Sequence, residues 1–199
     1  MRSPMDMPPA PSPVSYAVSD ALYRKLIGDF SAWRVPAREV IDPVFRESVT
    51  RFLYREARFL DDQAFDGWLA LFAQDCIYWI PGSADGGDPR TEVAISFDDR
   101  RRLEDRVFRL QTGMAWSQRP VSRTARMISN VEVFSSIDAD VYMVRAVFQV
   151  TELQGQDMRS WHGWSGHQIR DIGTQFEILV KQVNLINYDQ NLRNPSIIL

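Results

Sequence analysis

Residues 52–81, FLYREARFLDDQAFDGWLALFAQDCIYWIP, read as two amphipathic helices running into an aromatic-rich strand. With the residues just upstream, Phe45, Val49, Phe52, Leu53, Phe59 and Leu60 recur at helical spacing. Arg46, Glu47, Arg51, Arg55 and Arg58 fall on the remaining faces, so one side of this first helix is buried and the rest is left for solvent or a partner. Asp61 or Asp62 suits the N-cap of a second helix, whose stripe is Phe65, Trp68, Leu69 and Phe72. Residues 77–80 follow as a short apolar strand stopped by Pro81. Helix, helix, strand is the opening of an α+β fold.

Working outward, Asp42 followed by Pro43 marks the start of the first helix, with Asp42 as its N-cap. Residues 18–42 hold a short helix over 21–27, then Trp33 and Pro36. Residues 1–17 carry Pro4, Pro8, Pro9, Pro11 and Pro13, which block regular pairing, so an extended arm is expected there, ordered only where it lies on another subunit. Downstream, GSADGGDPR at 82–90 is a loop joining two strands, of which the second covers 91–97. A third helix over 98–112 places Leu103, Val107, Leu110 and Met114 on one face. Strands then cover 123–135, 141–153, 158–170 and 174–187, the first two joined by a turn at 136–140. Helices first and an antiparallel meander last predict a single α+β domain over 43–199, preceded by an N-terminal arm over 1–42.

The composition suits that reading. At 199 residues, 45% hydrophobic and 12% aromatic, the chain can bury a substantial core. A net charge of −3, with no Lys/Arg cluster interleaved with aromatics, argues against nucleic-acid binding. No apolar run is long enough to span a bilayer and the N-terminus lacks the apolar centre of a signal peptide, so a cytoplasmic protein is expected. Cys76 is the only cysteine, which rules out an intrachain disulfide, and its apolar surroundings predict a buried small hydrophobe.

Three blocks carry a family resemblance: REARFLDD with FDGWLALFAQDCIYWIP in the opening stretch, DDRRRLEDRVFRLQTGMAWSQRPVSRTARMISNVEV over 98–133, and LINYDQNLRNPSIIL over 185–199. The middle block is the most specific, because an acidic and arginine-rich helix, Gly-Met-Ala-Trp-Ser, Pro-x-Ser-Arg-Thr and a Ser-Asn-Val strand occur in that order. The chain resembles the small (β) subunit of aromatic-ring-hydroxylating dioxygenases, the Rieske non-haem iron oxygenases of bacterial aromatic catabolism. That resemblance implies a curved-sheet cone like those of nuclear-transport-factor-like and cystatin-like proteins. It also implies assembly of three α with three β subunits and a structural role beside the catalytic α subunit. The α subunit would carry the Rieske two-iron two-sulfur cluster and the mononuclear non-haem iron, fed from NAD(P)H through a ferredoxin and/or a reductase. One departure is QFEILVKQV at 175–183, where the family usually has a Trp-Arg-Ile style segment.

Residue arithmetic agrees with a non-catalytic role. A Rieske centre needs two Cys and two His, and this chain has one Cys and two His in all. His162 and His167 are five apart, which on a continuous strand sends them to opposite faces rather than to one iron. Trp161, His162, Trp164 and His167 are expected to be packing and interface residues. Asp61, Asp62, Asp98 and Asp99 are expected to serve helix ends, leaving Asp75 without an assigned part. Arg102, Arg119, Arg123 and Arg126 are expected to meet an α subunit. No catalytic, cofactor-binding or metal-binding residue is nominated. The alternative is an autonomous cone-fold isomerase, dehydratase or cyclase acting on a small apolar substrate, which would show a polar pair deep in an otherwise apolar pocket.

Overall fold

The computed structural model describes residues 18–84, 86–192 and 196–199. The expected proline-rich arm over 1–17 lies outside the described residues. Helix α1 (Asp20–Ser31) is capped by Ser19 and runs longer than the 21–27 read from the sequence. Helix α2 (Pro43–Asp61) begins as expected: Asp42 Oδ1 accepts from Val44 N at 3.0 Å and Pro43 occupies the first turn, where its missing N–H costs nothing. Its buried face is Val49, Phe52, Leu53, Glu56, Ala57 and Leu60.

The second helix differs from expectation. Helix α3 (Phe65–Leu69) is a single turn entered from Ala64, without a side-chain cap. Asp61 is unavailable as a cap because it is the last residue of α2 and its carboxylate is held by Thr124 Oγ1 at 2.8 Å and Arg126 N at 2.9 Å. Asp62 closes the end of α2 instead, its own N–H donating back to Arg58 O.

Strand β1 (Phe72–Pro81) starts earlier than the apolar run suggested, and β2 (Ala94–Asp99) follows the glycine-rich loop. Helix α4 (Arg100–Gln111) is capped by Asp99, which accepts from Arg102 N. Asp98, expected at the helix start, lies in β2 and is buried against Arg106, because the strand runs to Asp99 before the helix begins. Strands β3 (Arg123–Ser135), β4 (Val141–Gln154), β5 (Asp157–Asp171) and β6 (Phe176–Leu185) complete the fold. Between β4 and β5 the two-residue loop has Gly155 at φ 61°, the left-handed conformation that a type II′ hairpin turn requires at its first central position.

The strands form one sheet in the order β2-β1-β6-β5-β4-β3. All neighbours are antiparallel except β1 and β6, so the sheet is mixed but mainly antiparallel. The core lies between one sheet face and helices α2, α3 and α4: Trp68, Leu103, Val133, Val144, Ile169, Ile178 and Val183 are fully buried there. On the opposite face, Leu26, Phe30 and Trp33 of the α1 region pack on Ile77, Trp79, Phe134, Met143 and Val180. This is the α+β architecture that the helix-then-meander order predicted, with the curved sheet that the family resemblance implied.

Candidate functional site

The concave side of the sheet encloses a buried polar cluster. Glu56 enters it from α2, one helical turn from Phe52 and Leu53 and one from Leu60, so it shares their inward face. His167 of β5 and Lys181 of β6 are direct partners across the strand pair and point to the same side. Glu56 Oε1 accepts from Lys181 Nζ at 2.7 Å and from Trp68 Nε1 at 3.2 Å, while Oε2 lies 3.1 Å from His167 Nε2. Glu56, His167 and Lys181 are 4%, 2% and 6% exposed, which makes this an ion cluster cut off from solvent.

Burial pushes the Glu56 carboxyl up, but the Lys181 charge and the hydrogen bonds from His167 and Lys181 outweigh it, holding the group well below its ordinary 4.5. Burial pushes the Lys181 ammonium down, and Glu56 opposes that shift. A carboxylate with a depressed folded-state value contributes stability that is complete above the unfolded value of 4.5 and is lost as pH falls below it. The melting temperature is therefore expected to drop on acidification below about pH 4.5, and Glu56→Gln to flatten that dependence. Parallel pH profiles for the two proteins in thermal melts would refute this.

The walls around the cluster are apolar: Leu53, Ala57, Ile128, Ala146, Phe148 and Val183. The space left is about 20 Å³, room for roughly one water molecule. Leu199 closes part of this space, and Ile197 and Ile198 beside it are buried in the same core. Tyr78 holds that segment, its OH donating to Leu199 O at 2.9 Å and accepting from Leu199 N at 3.2 Å. Burial pushes the Tyr78 phenol well above its ordinary range, so it stays protonated as the donor. Arg126 reaches Ile198 O and Asp61 from the other side. A second buried node steadies the same segment: Glu152, 0% exposed, accepts from Ser122 Oγ at 2.6 Å and Trp161 Nε1 at 3.0 Å, and Gln118 bridges Ser122 to Ser196. A larger pocket of about 120 Å³ lies beside it, between Leu60, Phe65, Leu110, Val121 and Ile197.

The residues singled out from the sequence distribute as follows. His162 is exposed and His167 buried on opposite faces of β5, and among the described residues no group of three or more His, Cys, Asp or Glu is placed to hold a metal. Trp161 is a buried packing residue, and Trp164 packs behind the sheet against Trp33 under Arg34 and Arg145. Asp75 is exposed, and none of Asp61, Asp62, Asp98 and Asp99 lines the interior cavity. Arg126, expected at a subunit contact, is instead internal, because its guanidinium is consumed by Asp61, Thr124 and Ile198 O. Arg100 and Arg106 are likewise used within the chain, on Leu69 O and Phe72 O and on Asp98. Arg102, Arg119 and Arg123 remain at the surface. Cys76 is fully buried and its thiol is pushed up to about 12 by burial, which makes it an inert core residue. Glu56 and Lys181 were not anticipated. The signal for Glu56 was its place in the apolar stripe of α2, at helical spacing from Val49, Phe52, Leu53 and Leu60.

Chemically, the Glu56 carboxylate is saturated by three donors and has no space beside it for a substrate, so the cluster is built to hold its own charges. Comparison with known proteins points the same way. Residues 55–189 match the profile of a family described as ring hydroxylating beta subunit. The benzoate 1,2-dioxygenase subunit beta of Acinetobacter baylyi is 38% identical over 156 residues, covering 76% of this chain and 92% of that protein. The crystal structure of the beta subunit of benzoate 1,2-dioxygenase from Burkholderia mallei superposes with a TM-score of 0.64 at 33% identity, over 80% of this chain and 99% of that one. A chain of naphthalene 1,2-dioxygenase shares the fold, with a TM-score of 0.70 at 17% identity over 92% of this chain and 95% of that one. With a profile match across most of the cone and a relative covered almost end to end, this chain belongs to the ring hydroxylating beta subunit family.

Proposed function

We propose that this chain is the structural subunit of a multicomponent dioxygenase that dihydroxylates an aromatic compound, and that it holds the catalytic α subunit rather than reacting with substrate itself. The observation that carries this is the filled cone. A fold of this shape needs an open cavity to act as an enzyme, and here the interior space, with Leu199 in its wall, is about 20 Å³. The Rieske two-iron two-sulfur cluster and the mononuclear iron would sit in the α subunit, since this chain has too few Cys and His to build the first. A complex of three α and three β subunits in the cytoplasm, receiving electrons from NAD(P)H through a ferredoxin and/or a reductase, follows from the family reading. Among the described residues no helix is long and apolar enough to cross a membrane. The exposed Arg102, Arg119 and Arg123 are offered as contacts to α, since Arg100, Arg106 and Arg126 of the same region are committed within the chain.

The autonomous-enzyme reading has one observation in its favour, the polar pair of Glu56 and His167 in an apolar interior. The small interior space weighs against it, because about 20 Å³ holds roughly one water. Co-expression with a large-subunit gene whose product carries Cys-x-His and Cys-x-x-His tests the proposal. Size-exclusion chromatography with iron analysis is expected to give a red, iron-containing complex of hexamer size. An iron-free species that ignores the large chain, and that turns over a small apolar substrate alone, would overturn it.

A further inference from the structure

The pocket beside the C-terminal segment is a space of about 120 Å³, graded from an apolar floor to a wet rim. Leu60, Ile197 and Ile198 are buried and form the floor, while Val121 at the rim is 57% exposed. A cavity of about 150 Å³ lined by Leu, Ile and Phe holds benzene, so this space suits one six-membered ring and not two fused ones. The buried polar groups of the wall already bond within the chain: Gln118 Nε2 donates to Ser122 Oγ at 3.1 Å and to Ser196 Oγ at 2.7 Å, and Gln118 Oε1 accepts from Ser122 N at 3.1 Å. Charge is what they leave unbalanced. Arg119 and Arg126 line the pocket, whereas no carboxylate or imidazole does so among the described residues. Arg126 is neutralised by Asp61. Arg119 is held by neutral groups, its Nε donating to Gly113 O at 3.0 Å and its guanidinium lying 4.5 Å from the centre of the Trp116 ring, so a fixed positive charge stands beside an apolar recess. A ring that carries a carboxylate is the complement of that arrangement, because its planar anion matches the guanidinium fork while its carbons take the floor.

We propose that this pocket is a binding site for a small monocyclic aromatic carboxylate, with the ring against Leu60, Phe65, Leu110 and Ile198 and the carboxylate on Arg119. Without an acid or base in its lining, the site binds and does not react. It does not depend on the assembly role proposed above, and because Arg119 is also offered as a contact to α, the full chain alone is the protein to test.

Benzoate titrated into the full chain and followed by methyl NMR is expected to bind saturably, with a Kd on the order of 1 mM or tighter, and to shift the methyl signals of Leu60, Leu110, Val121 and Ile197. Benzyl alcohol, similar in size but uncharged, is expected to bind about tenfold more weakly, the difference that a hydrogen bond to a charged group makes, and 2-naphthoate not to bind. Arg119→Gln is expected to remove the advantage of benzoate over benzyl alcohol, and Val121→Phe to fill the pocket and abolish binding of both. Failure of benzoate to saturate, shifts centred on other methyl groups, 2-naphthoate binding as tightly as benzoate, an advantage that survives Arg119→Gln, or binding that survives Val121→Phe would overturn the proposal. The methyl shifts need no variant, so they stand as a test if either variant fails to fold.

Discussion

Lys181→Met is expected to lower the unfolding free energy by about 3–5 kcal/mol, the cost of leaving one partner of a buried ion pair uncompensated. Glu56 is the group left behind. Its carboxylate would keep the Trp68 and His167 hydrogen bonds but lose its counter-charge in a site that is 4% exposed. The complementary result makes the prediction specific. Glu56→Gln together with Lys181→Met replaces the charges by neutral groups of similar volume, and such replacements are often neutral or stabilising. The double variant is therefore expected to recover most of the loss in urea denaturation, a non-additive coupling at or above the top of the usual range of about 0.5–3 kcal/mol. Additive losses would show that Glu56 and Lys181 act independently, contrary to their 2.7 Å contact.

Trp68→Ala is expected to cost about 3–5 kcal/mol through the cavity it leaves, with a further loss from the Glu56 hydrogen bond. Trp68 is 0% exposed, its ring meets Phe72 and Tyr78 edge-on at centroid distances of 4.7 and 6.1 Å, and its Nε1 donates to Glu56. Trp68→Phe separates the two terms, because it retains most of the apolar volume and removes only the donor. Its cost is expected near 1–3 kcal/mol, and equal losses for the two variants would mean that packing contributes nothing here.

How much of this was legible in the sequence depended on whether a residue's neighbours are local. Asp42, Pro43 and the stripe from Val49 to Leu60 are local signals, and α2 forms where they place it. Strands β3, β4 and β5 were legible because apolar alternation and turn residues repeat at short range. Asp61 misled because an aspartate after a helix resembles a cap, whereas its partners Thr124 and Arg126 lie more than sixty residues away. Glu56 and Lys181 were missed for the same reason, since each is an isolated polar residue whose meaning depends on the other, 125 residues distant. The burial of Ile197, Ile198 and Leu199 in the core likewise becomes visible only once Tyr78 and Arg126 are seen to hold their backbone.

The parallel pairing of β1 with β6 has a consequence for how the molecule is made. Ile77 pairs with Val180, roughly one hundred residues away, and pairings of that range are slow because the chain entropy is lost before the contact forms. Strand β2, close in sequence, can zip onto one edge of β1 early, but the other edge waits for β6. During that interval β1 carries an unpaired backbone edge and an apolar face that includes Ile77 and Trp79, the conditions under which a nascent strand finds the wrong partner. Folding yield at high expression is therefore expected to be limited at the β1 edge, and slower synthesis or lower temperature to raise it.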